Sequence, residues 1–244
     1  MLTLFHFWSS TCSRKVRIAL AEKDINWKSH HIDIVNKLEN LEPEYLKINP
    51  NGVVPTLKHD GKVIIESNII IEYIDDTFSG VKLKPDDTFQ RAVMRLWLET
   101  AEAKVHKNVN VVSYNKRHVP RMDKLFSKEQ QREILMRLPD AEKRAAMLER
   151  LDFGVSEEDE VFAVRQLNDV MDKMERTLGD SKWLAGECFS LADIAIIPFV
   201  ERFQANGIAS LVNWFARPRT GNWWQRVQQR KSYQTAYAFE DPNV

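Results

Sequence analysis

The sequence predicts a small α/β domain over residues 1–79 followed by an all-helical domain over residues 88–244. Strand and helix signals alternate in the first part, whereas the second part has few strand signals and long stretches of residues that favour helices. A break with prolines and aspartates, residues 79–87, separates the two. With 244 residues, 43 % of them hydrophobic and 29 % charged, the chain has a globular composition and is long enough for a large core.

The first domain is predicted to follow the order βαβαββα. Because a whole helix separates the first two strands, we expect them to pair in parallel. The last two strands are joined through Asp60 and Gly61, which indicates a hairpin, and Ser67 is expected to cap the final helix. The predicted elements are a strand at 2–7, a helix at about 14–24, a strand at 27–34, a short helix at 43–48, strands at 53–58 and 62–65, and a helix that ends near 79.

The second domain contains predicted helices and one strongly charged segment. Residues 114–156 carry that charge and have two interpretations, a solvated face on exposed helices or a lid over a substrate pocket. Ser190 and Asp193 form a capping-box pattern, which we assign to folding. The predicted helices are 89–112, 128–137, 140–151, 157–178, 191–206 and 222–229.

Charge and motifs exclude several classes of function. Lysine plus arginine equals aspartate plus glutamate, 35 of each, and the net charge of zero removes long-range attraction to nucleic acids or anionic membranes. No glycine-rich nucleotide motif, zinc-binding helix or G-x-S-x-G elbow occurs in the sequence. Two cysteines are too few for a disulfide scaffold or a structural zinc site. We therefore expect a cytoplasmic protein with no metal, no nucleic-acid partner and no membrane segment.

The hydroxyl-rich run Ser9-Ser10-Thr11-Cys12-Ser13 is the first candidate site. Free N–H groups at a helix start stabilise an anion such as a thiolate by about 0.3–1 kcal/mol, and a hydroxyl adds a charge-assisted hydrogen bond. The same residue types are common helix caps. Thiolate stabilisation and simple capping both stay open as interpretations of this run.

Two further segments are candidates for a binding crevice. Val54-Pro55 places a proline inside a predicted strand, which indicates an edge, a bulge or a turn and would suit a cis peptide bond. Glu66 and Ser67 stand at another helix N-terminus, where Glu66 would attract an ammonium group and Ser67 a carboxylate. A zwitterionic amino-acid head has both groups. An ordinary capped helix with an acidic first turn explains the same two residues.

Taken together, these segments resemble the glutathione S-transferase family over nearly the whole chain. The resemblance rests on SSTCSRKVRIAL, NGVVPTL, ESNIIIEYI and SLADI. It implies a thioredoxin-like N-terminal domain that binds glutathione and an all-α C-terminal domain that binds an electrophile. It also implies glutathione as co-substrate, a homodimer and a role in detoxification.

The resemblance implies roles for individual residues. Ser10 falls where serine-type members place the hydroxyl that stabilises the thiolate. Val54, before the expected cis-Pro55, would pair with the cysteinyl backbone of glutathione. Glu66 and Ser67 would hold its γ-glutamyl end.

Two parts of the site are less sharply indicated. For the glycine carboxylate of glutathione the candidates are Lys37 and Asn40, because Val53 stands where some members carry a lysine. The electrophile pocket is expected near the serine run and along the first helix of the second domain. Its candidate residues are Trp8, Asn108, Val112 and Tyr114.

The subfamily stays open between several types. The Ser-Thr-Cys-Ser run is similar to the signature of zeta-type transferases and maleylacetoacetate isomerases, but Arg14 stands where that signature has tryptophan. Residues 39–57 and the charged segment look more like tetrachlorohydroquinone reductive dehalogenases and, more distantly, β-etherases. In those dehalogenases a cysteine at the place of Cys12 resolves a glutathionyl adduct, and a first helical turn would favour its thiolate. Alternatively, Cys12 is a small unreactive residue under the sheet.

The sequence therefore predicts an enzyme that holds glutathione as a thiolate through Ser10 and directs it at a hydrophobic electrophile, with an aromatic one expected. The first alternative is a glutathione-dependent reductive dehalogenase, β-etherase or maleylacetoacetate-type isomerase that uses Cys12. The second alternative is a non-catalytic binding module with the same fold.

Overall fold

The computed structural model describes residues 1–240 and contains a four-stranded mixed sheet. The strands are β1 (Leu2–His6), β2 (Lys28–His31), β3 (Thr56–His59) and β4 (Lys62–Ile64), in the spatial order β2-β1-β3-β4. β1 pairs in parallel with β2, and β3 pairs antiparallel with both β1 and β4. The parallel crossover and the hairpin predicted from the sequence are confirmed. Asp60 and Gly61 both have positive φ in the hairpin turn, 47° and 84°, which glycine adopts without strain.

The helices of the first domain give the order βαβαββα, as predicted. α1 begins three residues before the predicted start at residue 14, because Ser10 caps it. β3 begins directly after Pro55, since proline has no N–H to donate to a strand ladder. The helices are α1 (Thr11–Glu22), a 3-10 turn (Glu39–Leu41), α2 (Pro43–Leu46) and α3 (Ser67–Thr77).

The second domain is helical, and its first long helix is not regular. Where the sequence predicts one helix over 89–112, the structure has α4 (Thr88–Glu99), a π-helical stretch (Thr100–His106) and α5 (Lys107–Ser113). A second π-helical stretch (Tyr114–His118) leads into α6 (Val119–Leu125), which the sequence did not predict. The remaining helices are α7 (Lys128–Met136), α8 (Ala141–Phe153), α9 (Glu157–Asp180), α10 (Leu191–Ala205), α11 (Pro218–Gln228) and α12 (Lys231–Tyr237).

One hydrophobic core joins the sheet to the helical domain. α10 lies at its centre, with apolar side chains buried all along the helix, and it contacts α1, α3 and α4. The exact limits of the two domains, 1–79 and 88–244, stay predictions. Within residues 1–240 no helix has both the length and the apolarity that a bilayer span requires. Representative members of the core are Leu4, Ile71, Trp97, Ile197 and Trp223.

The β1–α1 turn is held in place by arginines from two helices. Arg17 is buried; its Nε donates to the Ala236 carbonyl at 3.0 Å and its Nη2 to the Trp8 carbonyl at 2.7 Å. Arg202 of α10 donates from Nη2 to the Ser9 carbonyl at 2.8 Å. Trp8 and Ser9 lie outside the strands and helices, so the bonds to their carbonyls satisfy these groups and fix the backbone just before α1.

Candidate active site

Ser10 caps α1 at the end of the β1–α1 turn. Its Oγ accepts a hydrogen bond of 3.2 Å from the Ser13 amide. A hydroxyl that accepts through its oxygen keeps its proton for another acceptor, so capping and thiolate stabilisation are compatible. Thr11 and Cys12 supply first-turn amides, which have no acceptor inside the helix. This turn therefore offers one O–H and two N–H donors to an anion.

The Val54–Pro55 peptide bond is cis, as expected from the sequence. The loop before it is clamped, because the Val53 carbonyl accepts hydrogen bonds from Tyr45 Oη at 2.7 Å and from Asn49 Nδ2 at 2.9 Å. Among residues 1–240, no protein group pairs with the backbone N–H or C=O of Val54. Since β3 follows this loop and pairs with β1, the free backbone groups lie beside the β1–α1 turn.

The start of α3 forms the third side of the crevice. Glu66 is exposed, with φ of 67° and ψ of 112°, and it occupies the cap position without a capping hydrogen bond. Ser67 is therefore not the cap that the sequence predicted: the left-handed backbone falls at Glu66, and Ser67 becomes the first helical residue. Its hydroxyl is buried and accepts from Lys15 Nζ at 3.4 Å. Asn51 Nδ2 donates to Glu66 Oε1 at 3.3 Å, which links α3 to the cis-proline loop.

Lys37 and Asn40 are the candidates for binding the glycine carboxylate. Lys37 lies just before the 3-10 turn, and Asn40 lies within it. Lys37 is exposed, so its ammonium group is accessible to a ligand. Asn40 donates from Nδ2 to the Gly52 carbonyl at 2.8 Å, and within residues 1–240 its buried Oδ1 has no partner. Asn40 therefore braces the loop, and both assignments stay predictions.

A second cluster of polar side chains adjoins the first turn of α1. Cys12 Sγ lies 4.0 Å from Nε2 of His106, whose Nδ1 donates to Glu102 Oε1 at 2.8 Å. Glu102 and His106 belong to the π-helical stretch, and such stretches are frequent at functional sites. The buried ammonium of Lys15 lies 3.8 Å from Glu102 Oε2 and donates to Asn68 Oδ1 at 3.1 Å.

These neighbours change the acidity of both partners. Burial raises the pKa of the Cys12 thiol, but the positive charges of Lys15 and His106 outweigh it and bring the pKa down to about 7. Burial lowers the pKa of His106, but Cys12 and Glu102 outweigh it and raise the pKa to about 10. Near neutral pH Cys12 is therefore divided between thiol and thiolate, beside an imidazolium.

Comparison with known proteins decides the family. Family models for the N-terminal and the C-terminal domain of glutathione S-transferase match residues 9–77 and 129–226. Protein LigF of Sphingobium sp. strain SYK-6 is 31 % identical over 94 % of this chain and 90 % of that protein. The chain belongs to the glutathione S-transferase family. Members of this family are enzymes that use glutathione as co-substrate, so the predicted family, fold class and enzymatic nature are confirmed, and the non-catalytic alternative is not favoured.

Two further comparisons cover nearly the whole transferase. The tetrachloro-p-hydroquinone reductive dehalogenase of Sphingobium chlorophenolicum is 27 % identical over 96 % of this chain and 95 % of that protein. The crystal structure of the β-etherase LigF matches with a TM-score of 0.88 at 29 % identity, over 97 % of this chain and 98 % of that one.

The four candidate residues of the electrophile pocket lie in different environments in this transferase. Trp8 is half-buried beside the cis-proline loop, where it packs against a cluster that includes Val54. Asn108 is buried, and its Nδ2 donates to a backbone carbonyl of the preceding turn at 2.7 Å. Val112 has no exposed surface and belongs to the main core, and Tyr114 is also buried. The structure thus places Trp8 at the crevice and does not bring Val112 to it.

The charged segment 114–156 of the transferase has both an exposed part and a covering part. α8 buries none of its residues, which agrees with the exposed-helix interpretation. α6 and α7 instead pack on the loop before α2. The apolar contact is formed by Leu38, Leu41, Met122, Ile134 and Leu138.

Five polar residues of this site were not singled out from the sequence. Glu102 and His106 carry a signal, since an acid and a histidine four residues apart share one face of a predicted helix. Lys15, Tyr45 and Asn49 carry no such signal in the sequence, because their hydrogen-bond partners come close only in the folded chain.

Proposed function

We propose that this transferase binds glutathione in the crevice between the β1–α1 turn, the cis-proline loop and the start of α3, with the sulfur at Ser10. The observation that carries this proposal is the Ser10 hydroxyl, which accepts from the Ser13 amide and has its proton left to donate. A thiolate accepts that proton and the first-turn amides. Such charge-assisted bonds are stronger for the thiolate than for the thiol, so they lower the pKa of the bound sulfur.

The remaining contacts with glutathione follow the shape of the crevice. The cysteinyl backbone would pair with the free N–H and C=O of Val54, whose loop is clamped from behind. The γ-glutamyl ammonium would meet the exposed carboxylate of Glu66, and its carboxylate would meet Ser67 and the α3 amides. The glycine carboxylate would pair with Lys37 or Asn40.

The bound thiolate would attack an electrophilic carbon of a hydrophobic, aromatic substrate, with the leaving group departing in a substitution. The names of two relatives support this class, since one is a tetrachloro-p-hydroquinone dehalogenase and the other a β-etherase. The half-buried ring of Trp8 would lie against such a substrate. A panel of aryl halides, aryl ethers and maleyl compounds separates the dehalogenase, etherase and isomerase alternatives.

We also propose a cytoplasmic homodimer that acts in detoxification. Exposed apolar side chains on α3 and α4, Ile69, Phe89 and Leu96, support a contact between two copies. Free Cys12 and Cys188 are typical of a reducing compartment. Sedimentation of the purified protein tests the dimer.

The role of Ser10 is tested by the ultraviolet absorbance of bound glutathione thiolate as a function of pH. Ser10→Ala removes the donor and should raise the pKa of the bound sulfur by about one unit or more, which is a tenfold loss of thiolate below that pKa. Ser10→Thr restores a hydroxyl and should restore most of the effect. Ser9→Ala is the matched control from the adjacent residue. An unchanged profile in Ser10→Ala, with glutathione still bound, would disprove the assignment.

A further inference from the structure

His106 lies beside the first turn of α1, and stabilisation of a thiolate by Ser10 gives it no role. It belongs to the π-helical stretch of the second domain, and its Nε2 lies 4.0 Å from Cys12 Sγ. The side chain keeps 29 % of its surface exposed, so the imidazole is not sealed between the two domains. A contact of 4.0 Å is long, so the Nε2–H stays available to an oxygen acceptor that comes closer.

Glu102 fixes the direction of this imidazole. Its Oε1 accepts from Nδ1 of His106 at 2.8 Å, which leaves Nε2 as the nitrogen that faces the first turn of α1. Glu102 is held in turn by the fully buried Lys15, whose ammonium lies 3.8 Å from Oε2. A histidine with one nitrogen bound to an anchored carboxylate has the arrangement of an acid–base group and its orienting partner.

The groups nearest to His106 keep a proton on the ring. Burial lowers the pKa of His106, but Cys12 and Glu102 outweigh it and raise the pKa to about 10. At neutral pH the imidazole is therefore charged, and its Nε2 has a proton to give.

The other elements packed around the imidazole add no negative charge to it. α10 contributes the uncharged ring of Phe199, whose centre lies 5.8 Å from that of the imidazole. α3 contributes the amide of Asn68, which accepts from Lys15 Nζ at 3.1 Å. α9 contributes Lys173, which donates to Thr100 Oγ1 at 3.2 Å, at the opposite end of the π-helical stretch. The acidity of this group is therefore set by Cys12 and Glu102.

The imidazole also lies close to the place where a substrate would react. Ser10, at which the glutathione sulfur is proposed to lie, is the cap of the helix turn that contains Cys12. A carbon attacked by that sulfur therefore lies near the group that contacts Cys12. The first domain holds the sulfur, and an in-line displacement sends the leaving atom away from it, toward the second domain that supplies His106.

The leaving group decides whether such a proton donor is useful. A halide departs as a stable anion and takes no proton. An aryloxide is basic, since a phenol has a pKa of about 10, and it leaves more readily when a proton reaches the oxygen as the bond breaks. A positioned acid contributes about 10²- to 10⁴-fold to such a step. An imidazolium near the leaving atom therefore favours aryl ethers over aryl or alkyl halides.

We propose that His106, oriented by Glu102, is the general acid of this site and protonates the oxygen that leaves when the glutathione thiolate attacks the alkyl carbon of an aryl ether. The inference rests on the proposed binding of glutathione with its sulfur at Ser10, and it narrows the substrate class to compounds with an aryloxide leaving group. His106 is the catalytic residue, because it contacts the leaving atom. Glu102 is a positioning residue.

The reaction balances without an oxidant or a reductant. The glutathione sulfur forms a bond to carbon as the carbon–oxygen bond breaks, and the electron pair of that bond stays on the oxygen. Nε2 of His106 gives this oxygen its proton, so a phenol departs and the imidazole becomes neutral. The proton that the next glutathione loses on becoming a thiolate restores the imidazolium through the solvent. The net change is G–SH plus R–O–Ar to G–S–R plus Ar–OH.

The first test compares three compounds in which the same phenacyl carbon carries phenoxide, 4-nitrophenoxide or chloride. The unchanged protein with glutathione should release phenol from the first. His106→Gln should lower kcat/KM about 100-fold or more for phenoxide, because this ion needs the proton most. The loss should be smaller for the less basic 4-nitrophenoxide and absent for chloride. His30→Gln, at an exposed position of β2, is the control histidine and should change none of the three rates.

The possible results separate this inference from the proposed function. Equal losses for all three compounds would show that His106 only supports the fold, and no loss for phenoxide would show that it gives no proton. A protein that conjugates phenacyl chloride but never releases phenol would overturn the inference and leave the proposed function standing. If calorimetry shows that glutathione does not bind, the proposed function itself fails.

The second test requires no variant of His106 and therefore does not depend on how that variant folds. Release of phenol by the unchanged protein should be slower in heavy water than in ordinary water, because a proton moves as the carbon–oxygen bond breaks. Phenacyl chloride reports the isotope effect on glutathione itself, since its leaving group takes no proton. The same isotope effect for both compounds would contradict protonation of the leaving oxygen.

The third test examines the positioning role of Glu102. Glu102→Gln should lower the pKa of the His106 ring in an NMR titration, because the carboxylate is one of the groups that raise it. The same change should lower kcat for the phenoxide compound more than for the chloride compound and leave KM unchanged. An unaltered pKa of the ring, or equal effects on both compounds, would show that Glu102 does not act through His106.

Discussion

Arg14 of α1 and Glu201 of α10 form an ion pair across the two domains, with 2.6 Å between Nη1 and Oε2. Arg14 is nearly buried, and its guanidinium also lies 4.3 Å from the centre of the Tyr237 ring. The residue that departs from the zeta-type signature therefore has a structural use here, since it attaches the start of α1 to both α10 and α12. A binding turn that depends on α1 depends on this attachment.

Replacement of Glu201 should destabilise the protein. Glu201→Gln leaves the Arg14 guanidinium buried beside a weaker acceptor, and we expect the free energy of unfolding to fall by about 1–3 kcal/mol. The midpoint of thermal unfolding should fall by about 2–4 °C per kcal/mol. Glu44→Gln, which breaks the exposed Lys47–Glu44 pair, is the control and should cost less than about 0.5 kcal/mol. Equal effects of the two changes would contradict this ranking.

Asp193 should matter more than any surface cap. It is fully buried, and its carboxylate accepts from the amides of Leu184 and Ser190 and from Trp223 Nε1 at 2.8–3.1 Å. Asp193→Ala leaves these donors unsatisfied, so we expect a loss of about 3 kcal/mol or more in urea unfolding. Asp87→Ala removes the exposed cap of α4 and should cost only about 1 kcal/mol. If Asp193→Ala and Asp87→Ala lower the free energy of unfolding equally, the buried hydrogen bonds of Asp193 do not add to stability beyond an ordinary helix cap.

The elements that the sequence predicts correctly are those with a local signal. Ser10, the Asp60-Gly61 pair and the Ser190–Asp193 box each satisfy or bend the backbone within a few residues, and the structure shows all three in their predicted places. Two helix starts differ from the prediction: α1 begins earlier, because its cap is Ser10 and not a later hydroxyl residue, and the cap position of α3 is Glu66 and not Ser67.

The features that the sequence does not predict depend on distant partners. The apolar spacing of residues 89–112 fits one helix, and nothing local requires the π-helical stretch that carries Glu102 and His106. The contact of His106 with Cys12 exists only after the two domains pack together. Likewise, the position of Val112 in the sequence fits either a residue that lines the electrophile pocket or a residue of the hydrophobic core. Only the packing of the folded chain places it in the core.

The Tyr45 hydroxyl should support glutathione binding from outside the crevice. It bonds to the Val53 carbonyl at 2.7 Å and to Thr56 Oγ1 at 2.9 Å, and so holds the loop on which Val54 offers its backbone. Tyr45→Phe removes about 0.5–1.5 kcal/mol of hydrogen bonding. The dissociation constant of glutathione in calorimetry should therefore rise about 2- to 10-fold.

The matched control for this change is Tyr73→Phe. It deletes a hydroxyl that bonds to His59 Nδ1 at 2.8 Å, away from the cis-proline loop. We expect the control to leave the dissociation constant unchanged. Equal weakening by both variants would show a general loss of stability and not an effect on the loop.

Leu41 should control how firmly α6 and α7 cover the loop before α2. It is buried in the small cluster with Met122 and Ile134, separate from the main core. A buried Leu→Ala change costs about 2–5 kcal/mol, and in a separate cluster this cost should appear as local opening. Leu41→Ala should therefore speed hydrogen exchange in α6 and α7 by about 30-fold or more, which corresponds to about 2 kcal/mol. Leu125→Ala, at the exposed end of α6, should have little effect. Faster exchange across the whole sheet, or no change in α6 and α7, would show that this contact is not an independent cover.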